Sequence, residues 1–204
     1  MIEQTQEGDL RIVTINRPDK AGALTRDMLV TLAEIAEQSQ AVKALIITGT
    51  GPVFSAGADL AASRAGLATD PVWERLSSAI AGLPGLTIAA LNGTAAGGAL
   101  GMVLACDLRI AVASANIFYP VMKLGFLPQP SDPPRMRALI GPARSKMILM
   151  AGKKIPATQA QDWGLIDQIS EPATLLTDAR ALCADALQAD PAHIEGIKRL
   201  IAVR

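Results

Sequence analysis

The sequence predicts an α/β fold in which most strands run parallel. Short apolar runs, typical of strands buried on both faces, alternate with amphipathic helical segments along the first half of the chain. Two glycine-rich stretches each follow a buried strand and precede a helix, which is where ligands bind in such folds. The chain has 204 residues and is 50% hydrophobic, which is enough for one domain with a sizeable aliphatic core.

Strands and helices alternate up to about residue 120. Thr25 is a candidate N-cap for the first helix, and Asp70 with Pro71 begins a second helix that reaches about residue 81. The segment 49–69 between them is predicted to be a loop. Alternating or continuous apolar runs predict strands at 10–16, 43–49, 85–92, 108–113 and 116–120.

From residue 131 onward the pattern is mainly helical. A brief strand at 165–169 interrupts it. The helices are predicted at 135–140, 142–151, 157–163, 173–189 and 191–203.

Charge and hydropathy exclude several classes of function. Lys plus Arg and Asp plus Glu number 19 each, so no net charge favours nucleic acid or an anionic membrane as a partner. The N-terminus shows no basic region followed by an apolar run, so we expect no signal peptide. The longest apolar stretch, 95–106, contains three glycines and is too short to span a bilayer.

The reactive side chains are few. Cys106 and Cys183 have no short spacing, which fits neither a zinc site nor a disulfide framework and is typical of a reducing cytoplasm. His193 is the one histidine, so a histidine metal cluster is excluded by count. We expect it to be a surface or packing residue of a C-terminal helix rather than part of a nucleophilic triad.

The glycine-rich stretches at 54–60 and 92–98 allow two interpretations. The segment 49–54 lacks the third glycine and the following helix of a dinucleotide fingerprint, and the chain has no P-loop motif. One interpretation is a pair of structural turns. The other is that backbone N–H groups of both loops converge as an oxyanion hole, where small residues let a thioester or ester carbonyl approach.

The chain resembles the crotonase (enoyl-CoA hydratase/isomerase) superfamily from about residue 8 to 203. The resemblance implies a spiral of ββα repeats with helices at the C-terminal end. It also implies a homotrimer or a dimer of trimers. The matching segments, in order, are I-N-R-P-D-K-A-G-A-L (15–24), F-S-A-G-A-D-L (54–60), the glycine-rich stretch 92–111, K-L-G-F-L-P (123–128), I-G-P-A-R (140–144) and A-x-x-W-G-L-I-D (160–167).

The same resemblance implies a substrate and a set of site residues. An acyl-CoA thioester would be bound by the backbone N–H groups of Ala58 and Gly98, with coenzyme A as part of the substrate and neither a separate cofactor nor a metal. The family's K-x-N-A-L segment, which helps to seat coenzyme A, reads 20–24 here with the asparagine replaced. The implied substrate-binding positions are Lys20, Ala23, Leu24, Ala56, Gly57, Asp59, Leu60, Gly97 and Val121.

Two departures from the family pattern concern proton transfer. The resemblance places the two glutamates of hydratases at positions that are Gly101 and Val121 here. Neither residue can carry a proton, and such acid–base help accelerates a reaction about 10²–10⁴-fold. We therefore expect neither two-glutamate hydration nor an isomerase that uses the second position.

Some family members carry a carboxylate at a further position, and that position is Gln129 in this chain. Asp132 is the acid nearest to it in sequence. It allows two interpretations, a relocated acid or base and an N-cap of the helix that follows. The second is favoured from sequence, because Ser and Asp commonly cap helices.

The resemblance also divides the chain and leaves three functional hypotheses. We expect a core domain at 1–190 and a shortened C-terminal helical segment at 191–204. The protein would be a cytoplasmic enzyme of lyase or isomerase type that stabilises a thioester enolate. The alternatives are a non-catalytic acyl-CoA binder or carrier and a structural subunit.

Overall fold

The computed structural model describes residues 1–202. In chain order, the strands are β1 (Ile2–Glu7), β2 (Leu10–Ile15), β3 (Ala44–Gly49), β4 (Val53–Ser55), β5 (Leu86–Leu91), β6 (Thr94–Ala96), β7 (Leu108–Val112), β8 (Asn116–Phe118), β9 (Ile155–Pro156) and β10 (Gln168–Ser170). The helices are α1 (Arg26–Glu37), α2 (Leu60–Arg64), α3 (Val72–Ala81), α4 (Ala99–Ala105), α5 (Val121–Leu124), α6 (Asp132–Leu149), α7 (Ala157–Trp163), α8 (Leu175–Leu182), α9 (Ala184–Gln188) and α10 (Pro191–Ala202).

These strands form two sheets within the described residues. The larger has the order β1-β2-β3-β5-β7-β10 and is parallel except for the β1–β2 hairpin. The smaller has the order β4-β6-β8-β9, in which β4, β6 and β8 run parallel and β9 runs antiparallel. The predicted α/β class with mostly parallel strands is confirmed.

Three successive stretches of the chain each place one strand in each sheet and continue into a helix. They begin at β3, β5 and β7, and their second strands are β4, β6 and β8. Because the second strands are parallel neighbours, the loops that leave them meet at one edge of the smaller sheet. This edge carries the candidate site.

Helix α4 anchors that edge in the core. Every one of its residues is buried, and it packs against α3 and α6. Its sequence A-L-G-M-V-L-A holds no polar side chain, which is why it can be enclosed on all sides. Thr25 caps α1 as predicted, since its side chain accepts a hydrogen bond from the N–H of Met28.

Most predicted elements agree with the structure, and the differences have local causes. The loop predicted at 49–69 contains β4 and α2, and the turn at 92–98 contains β6, because strands of three residues are too short to show a period. β1 is missing from the prediction because it is almost wholly exposed and polar. The helix predicted at 173–189 is divided at Cys183 into α8 and α9.

The predicted break between helices at residue 141 is confirmed. Gly141 has φ 75° and ψ 169° inside α6, a backbone conformation that glycine adopts readily. His193 is exposed on α10, and both cysteines are buried and unpaired. Among residues 1–202, none of the helices has the length and apolar character needed to cross a bilayer. Nor do these residues bring together three or more His, Cys, Asp or Glu side chains that could hold a metal ion.

Candidate functional site

The first loop of the site leaves β4 and is held in place by Leu24. The Leu24 N–H donates to the Gly57 carbonyl oxygen, and the Leu24 carbonyl oxygen accepts from the Asp59 N–H, both at 2.8 Å. Asp59 caps α2 and forms an ion pair with Arg17 at 3.0 Å. These hydrogen bonds involve the residues on both sides of Ala58. The Ala58 N–H itself donates to no acceptor within residues 1–202.

The second loop leaves β6 and begins α4. The Gly97 N–H donates to the Phe118 carbonyl oxygen at 3.1 Å, which ties this loop to the neighbouring strand β8. Gly98 is the N-cap residue of α4, and its N–H is likewise without an acceptor in the described part of the chain. The ring of Trp73 lies against Gly98, 3.1 Å from where a Cβ would stand.

The two loops touch each other through backbone atoms. A Cβ on Gly57 would lie 2.8 Å from the Ala96 carbonyl oxygen and 3.4 Å from the Gly98 nitrogen. Gly57 also has φ +88°, where side chains cause strain. The close approach of the two loops therefore requires glycine at position 57, and Ala58 and Gly98, whose N–H groups are free within residues 1–202, lie beside this approach.

A buried carboxylate lies beside α4 at Gly101, three residues after Gly98. Asp132 is 0% exposed, and one of its oxygens, Oδ1, lies 3.1 Å from where a Cβ on Gly101 would stand. Oδ2 accepts a hydrogen bond from the Tyr119 hydroxyl at 2.9 Å. Oδ1 is buried and has no hydrogen-bond partner within residues 1–202. The carboxylate thus fills space that a side chain at position 101 would occupy, with one oxygen free.

The surroundings of Asp132 disfavour its charged form. Burial raises the pKa of Asp132 to about 6, although the Tyr119 hydrogen bond and the charge of Arg135 lower it. The charge of Glu74 also raises the pKa of Asp132. Burial raises the pKa of Glu74 itself, but hydrogen bonds from the Ser131 hydroxyl and N–H outweigh burial, so the pKa of Glu74 is lowered. A buried acid with a pKa near neutrality and a free oxygen is typical of a functional group.

Comparison with known proteins gives the family. The model of the enoyl-CoA hydratase/isomerase family matches residues 5–202. The chain belongs to this family. The short-chain-enoyl-CoA hydratase of Clostridium acetobutylicum is 31% identical over 210 residues, covering 96% of this chain and 78% of that protein.

Solved structures agree with the family and with the crotonase fold. The enoyl-CoA hydratase EchA8_6 from Mycobacterium marinum superimposes with a TM-score of 0.88 at 26% identity, covering 98% of each chain. DspI from Pseudomonas aeruginosa superimposes with a TM-score of 0.89 at 32% identity, covering 98% of this chain and 85% of that one. The crotonase fold implied by the resemblance is therefore the fold that this chain shares with the enoyl-CoA hydratase from Mycobacterium marinum.

The remaining positions predicted for this family member fall into two groups. Lys20, Ala56 and Leu60 are exposed around the first loop, where a ligand could reach them. Leu24 is 0% exposed, so its side chain is part of the core, and its backbone fixes the loop. Ala23 is half-buried and its carbonyl oxygen accepts from Arg17.

Val121 lies in apolar surroundings. It is 4% exposed and lines a cavity of about 480 Å³. The other lining residues are Met122, Gly125, Phe126, Leu127, Pro128, Leu149 and Met150. A second cavity, of about 420 Å³, lies away from both loops, between the turn after α3 and helix α10. Val121 therefore faces an apolar space.

The cap interpretation of Asp132 is wrong. Ser131 occupies the N-cap position of α6, and neither it nor Asp132 makes a capping hydrogen bond with its side chain. The Asp132 side chain turns inward to Tyr119 because α4, which has only a glycine at position 101, leaves room there. Sequence reasoning also missed Tyr119 and Arg135. The one available signal was that Tyr119 is the single tyrosine and lies within the strand predicted at 116–120.

Proposed function

We propose that this protein binds an acyl-CoA thioester and moves a proton at a carbon beside its carbonyl group. The observation that carries the proposal is the Asp132 carboxylate, which is buried beside Gly101 with Oδ1 unpartnered. Under this proposal, the acid that the resemblance places at position 101 is supplied from α6. The names of the relatives support the substrate class, since the Clostridium protein is a short-chain-enoyl-CoA hydratase.

In the bound state, the thioester oxygen would accept hydrogen bonds from the N–H groups of Ala58 and Gly98. Their lack of acceptors within residues 1–202 and the contact of their loops support this role. Negative charge develops on that oxygen when the thioester becomes an enolate. Each such donor lowers the barrier by about 3–4 kcal/mol, because it is already oriented when the charge forms.

Asp132 would be the proton carrier. Its Oδ1 takes a proton from the carbon next to the carbonyl as the C–H electron pair moves into the enolate, and it returns the proton to carbon in the second half of the reaction. A pKa of about 6 leaves the carboxylate mainly ionised near neutral pH and still able to hold a proton briefly. Since Val121 cannot share the work, an isomerisation with one acid fits the site better than hydration with two.

The exposed residues around the first loop would contact the rest of the substrate. Lys20 would contact the coenzyme A nucleotide by charge, and Ala23 and Leu24 would shape the segment that seats it. Ala56, Gly57 and Leu60 would border the thioester. We also propose a cytoplasmic location and a homotrimer or dimer of trimers, on the family resemblance alone.

A non-catalytic acyl-CoA binder is the second candidate. It is favoured by one observation, the apolar setting of Val121, which leaves no acid at the position where the resemblance places the second glutamate. Such a protein would use the same N–H groups and leave the thioester unchanged.

Proton exchange separates the two candidates without knowledge of the natural substrate. Butyryl-CoA would be incubated with the protein in D₂O and analysed by mass spectrometry, with binding measured by calorimetry. We expect deuterium at the carbon beside the carbonyl, and a loss of about 10²–10⁴-fold in Asp132→Asn at similar affinity. Asp185→Asn on the exposed face of α9 is the matched charge control and should exchange like the wild type.

The other outcomes are equally informative. Exchange that is unchanged in Asp132→Asn would exclude this residue as the proton carrier. Tight binding without exchange in the wild type would favour the binder, and no binding would favour the structural subunit.

A further inference from the structure

Tyr119 occupies a special place in the proposed site. It directly follows β8, the strand that pairs with β6, so it lies at the same edge as the two loops. The neighbouring Phe118 accepts the hydrogen bond of Gly97, which links this point of the chain to the second loop. Tyr119 is 2% exposed, and its hydroxyl reaches Oδ2 of Asp132.

This hydrogen bond makes the two oxygens of Asp132 unequal. Oδ2 is occupied by the phenol, whereas Oδ1 faces Gly101 without a partner in the described chain. A carboxylate without such a contact can turn about its side-chain torsion and exchange its oxygens, because that torsion is broad. The phenol therefore selects which oxygen is available.

The phenol is also a permanent donor. Burial and the negative charge of Asp132 both raise the pKa of Tyr119 well above its usual range. It keeps its proton throughout the pH range in which Asp132 titrates. A hydroxyl group that always donates to Oδ2 favours the ionised carboxylate over the neutral acid.

We propose that Tyr119 is the positioning residue of the proton-transfer site, which holds Oδ2 of Asp132 so that Oδ1 is the oxygen that exchanges a proton with the substrate. This inference rests on the proposed function. Tyr119 itself touches no reacting atom, and its effect is transmitted through the carboxylate. The N–H groups of Ala58 and Gly98 do not require the buried phenol, so positioning of Asp132 is a separate role for Tyr119.

The groups that face Asp132 give the direction of the expected change. Tyr119 after β8 and Arg135 on α6 favour the carboxylate, Glu74 on α3 disfavours it, and α4 offers only Gly101. In Tyr119→Phe the ring remains and the donor is lost. The pKa of Asp132 should then rise above about 6 by roughly one unit, so the ionised, active form appears at higher pH.

Two measurements test this. Infrared difference spectra during a pH titration follow protonation of the Asp132 carboxyl group, and the band is identified by its absence in Asp132→Asn. The pH profile of deuterium exchange into butyryl-CoA follows function. In Tyr119→Phe, both midpoints should move upward by about one pH unit, and the plateau rate should fall about tenfold because Oδ1 is no longer selected.

A control variant and three contrary results separate the role of Tyr119 from the proposed function itself. Trp163→Phe changes an aromatic ring on α7 away from the site and should leave both midpoints in place. An infrared midpoint unchanged in Tyr119→Phe overturns the role of Tyr119. So does an infrared shift without a shift in the exchange profile, since Asp132 would then not be the group that controls exchange. A wild type that exchanges no proton at any pH overturns the proposed function, and with it this role.

Discussion

The two glycine-rich loops at 54–60 and 92–98 and the buried acid Asp132 lie at one edge of the smaller sheet but are built in different ways. The loops use backbone N–H groups of Ala58 and Gly98, and they need only small residues over a few consecutive positions. The buried acid consists of the Asp132 side chain on α6, the Tyr119 hydroxyl that follows β8, and the space left by the missing side chain of Gly101 on α4, called here the gap in α4. A backbone site is fixed by local sequence, whereas a side-chain site can be supplied from any element that reaches the same space.

Among the glycine variants and stability effects that compare the two regions, the largest effect is expected where the two loops touch. Gly57→Ala would place a Cβ 2.8 Å from the Ala96 carbonyl oxygen and 3.4 Å from the Gly98 nitrogen, so the loops must separate. We expect exchange into butyryl-CoA to fall about 10²–10³-fold, the usual effect of losing one oxyanion donor. The measurement is the initial exchange rate at saturating butyryl-CoA.

Gly66→Ala is the matched control for backbone strain. Gly66 has φ +97°, similar to the φ of +88° at Gly57, but none of the described residues comes within 4 Å of its missing Cβ. It should lose stability through strain of about 1–3 kcal/mol and keep its exchange rate. Equal loss of exchange in both variants would show that strain, and not the approach of the loops, explains the effect.

The next effect concerns the contribution of the buried Asp132 to the stability of the folded protein. Burial raises the pKa of Asp132 to about 6, above the value of about 3.9 for an unfolded aspartate. A carboxyl group whose pKa is raised by folding contributes its full stabilisation of the folded state below about pH 4. This contribution is lost as the pH rises through about 6. Asp132→Asn cannot ionise and should therefore gain about 2–3 kcal/mol relative to wild type between pH 4 and pH 8.

Urea unfolding of both proteins at the two pH values gives this difference. Acids elsewhere in the chain titrate in both proteins and cancel. A gain of stability on removing an acid would mark Asp132 as a residue retained at a cost to folding, as functional groups often are. A difference that is the same at both pH values would show that Asp132 is not held in its unfavourable ionised state.

The contrast between the two regions also explains what the sequence could predict. The loops were identifiable because glycine and alanine at 54–60 and 92–98 follow apolar strand patterns, and the fold class followed from the same alternation. The sequence singled out Asp132 as a candidate, but the favoured cap interpretation was wrong because capping is a local rule. The gap at Gly101 and the hydroxyl of Tyr119 turn it inward, and both come from distant parts of the chain.

The smallest effect tests whether the gap in α4 is required. Replacing glycine by alanine inside a helix usually adds up to about 1 kcal/mol of stability. Gly196→Ala on α10 should gain about this amount, because no atom of residues 1–202 lies within 4 Å of its missing Cβ. Gly101→Ala should not gain stability, because its Cβ would stand 3.1 Å from Oδ1 of Asp132, closer than a methyl group and a carboxylate oxygen normally approach.

The Gly101→Ala substitution should also lower the exchange rate several-fold, since the crowded Oδ1 must move away from the position that Tyr119 gives it. Thermal unfolding and exchange rates of both variants provide the comparison. If Gly101→Ala is stabilised as much as Gly196→Ala and exchanges at the wild-type rate, the space beside α4 is not what places the acid.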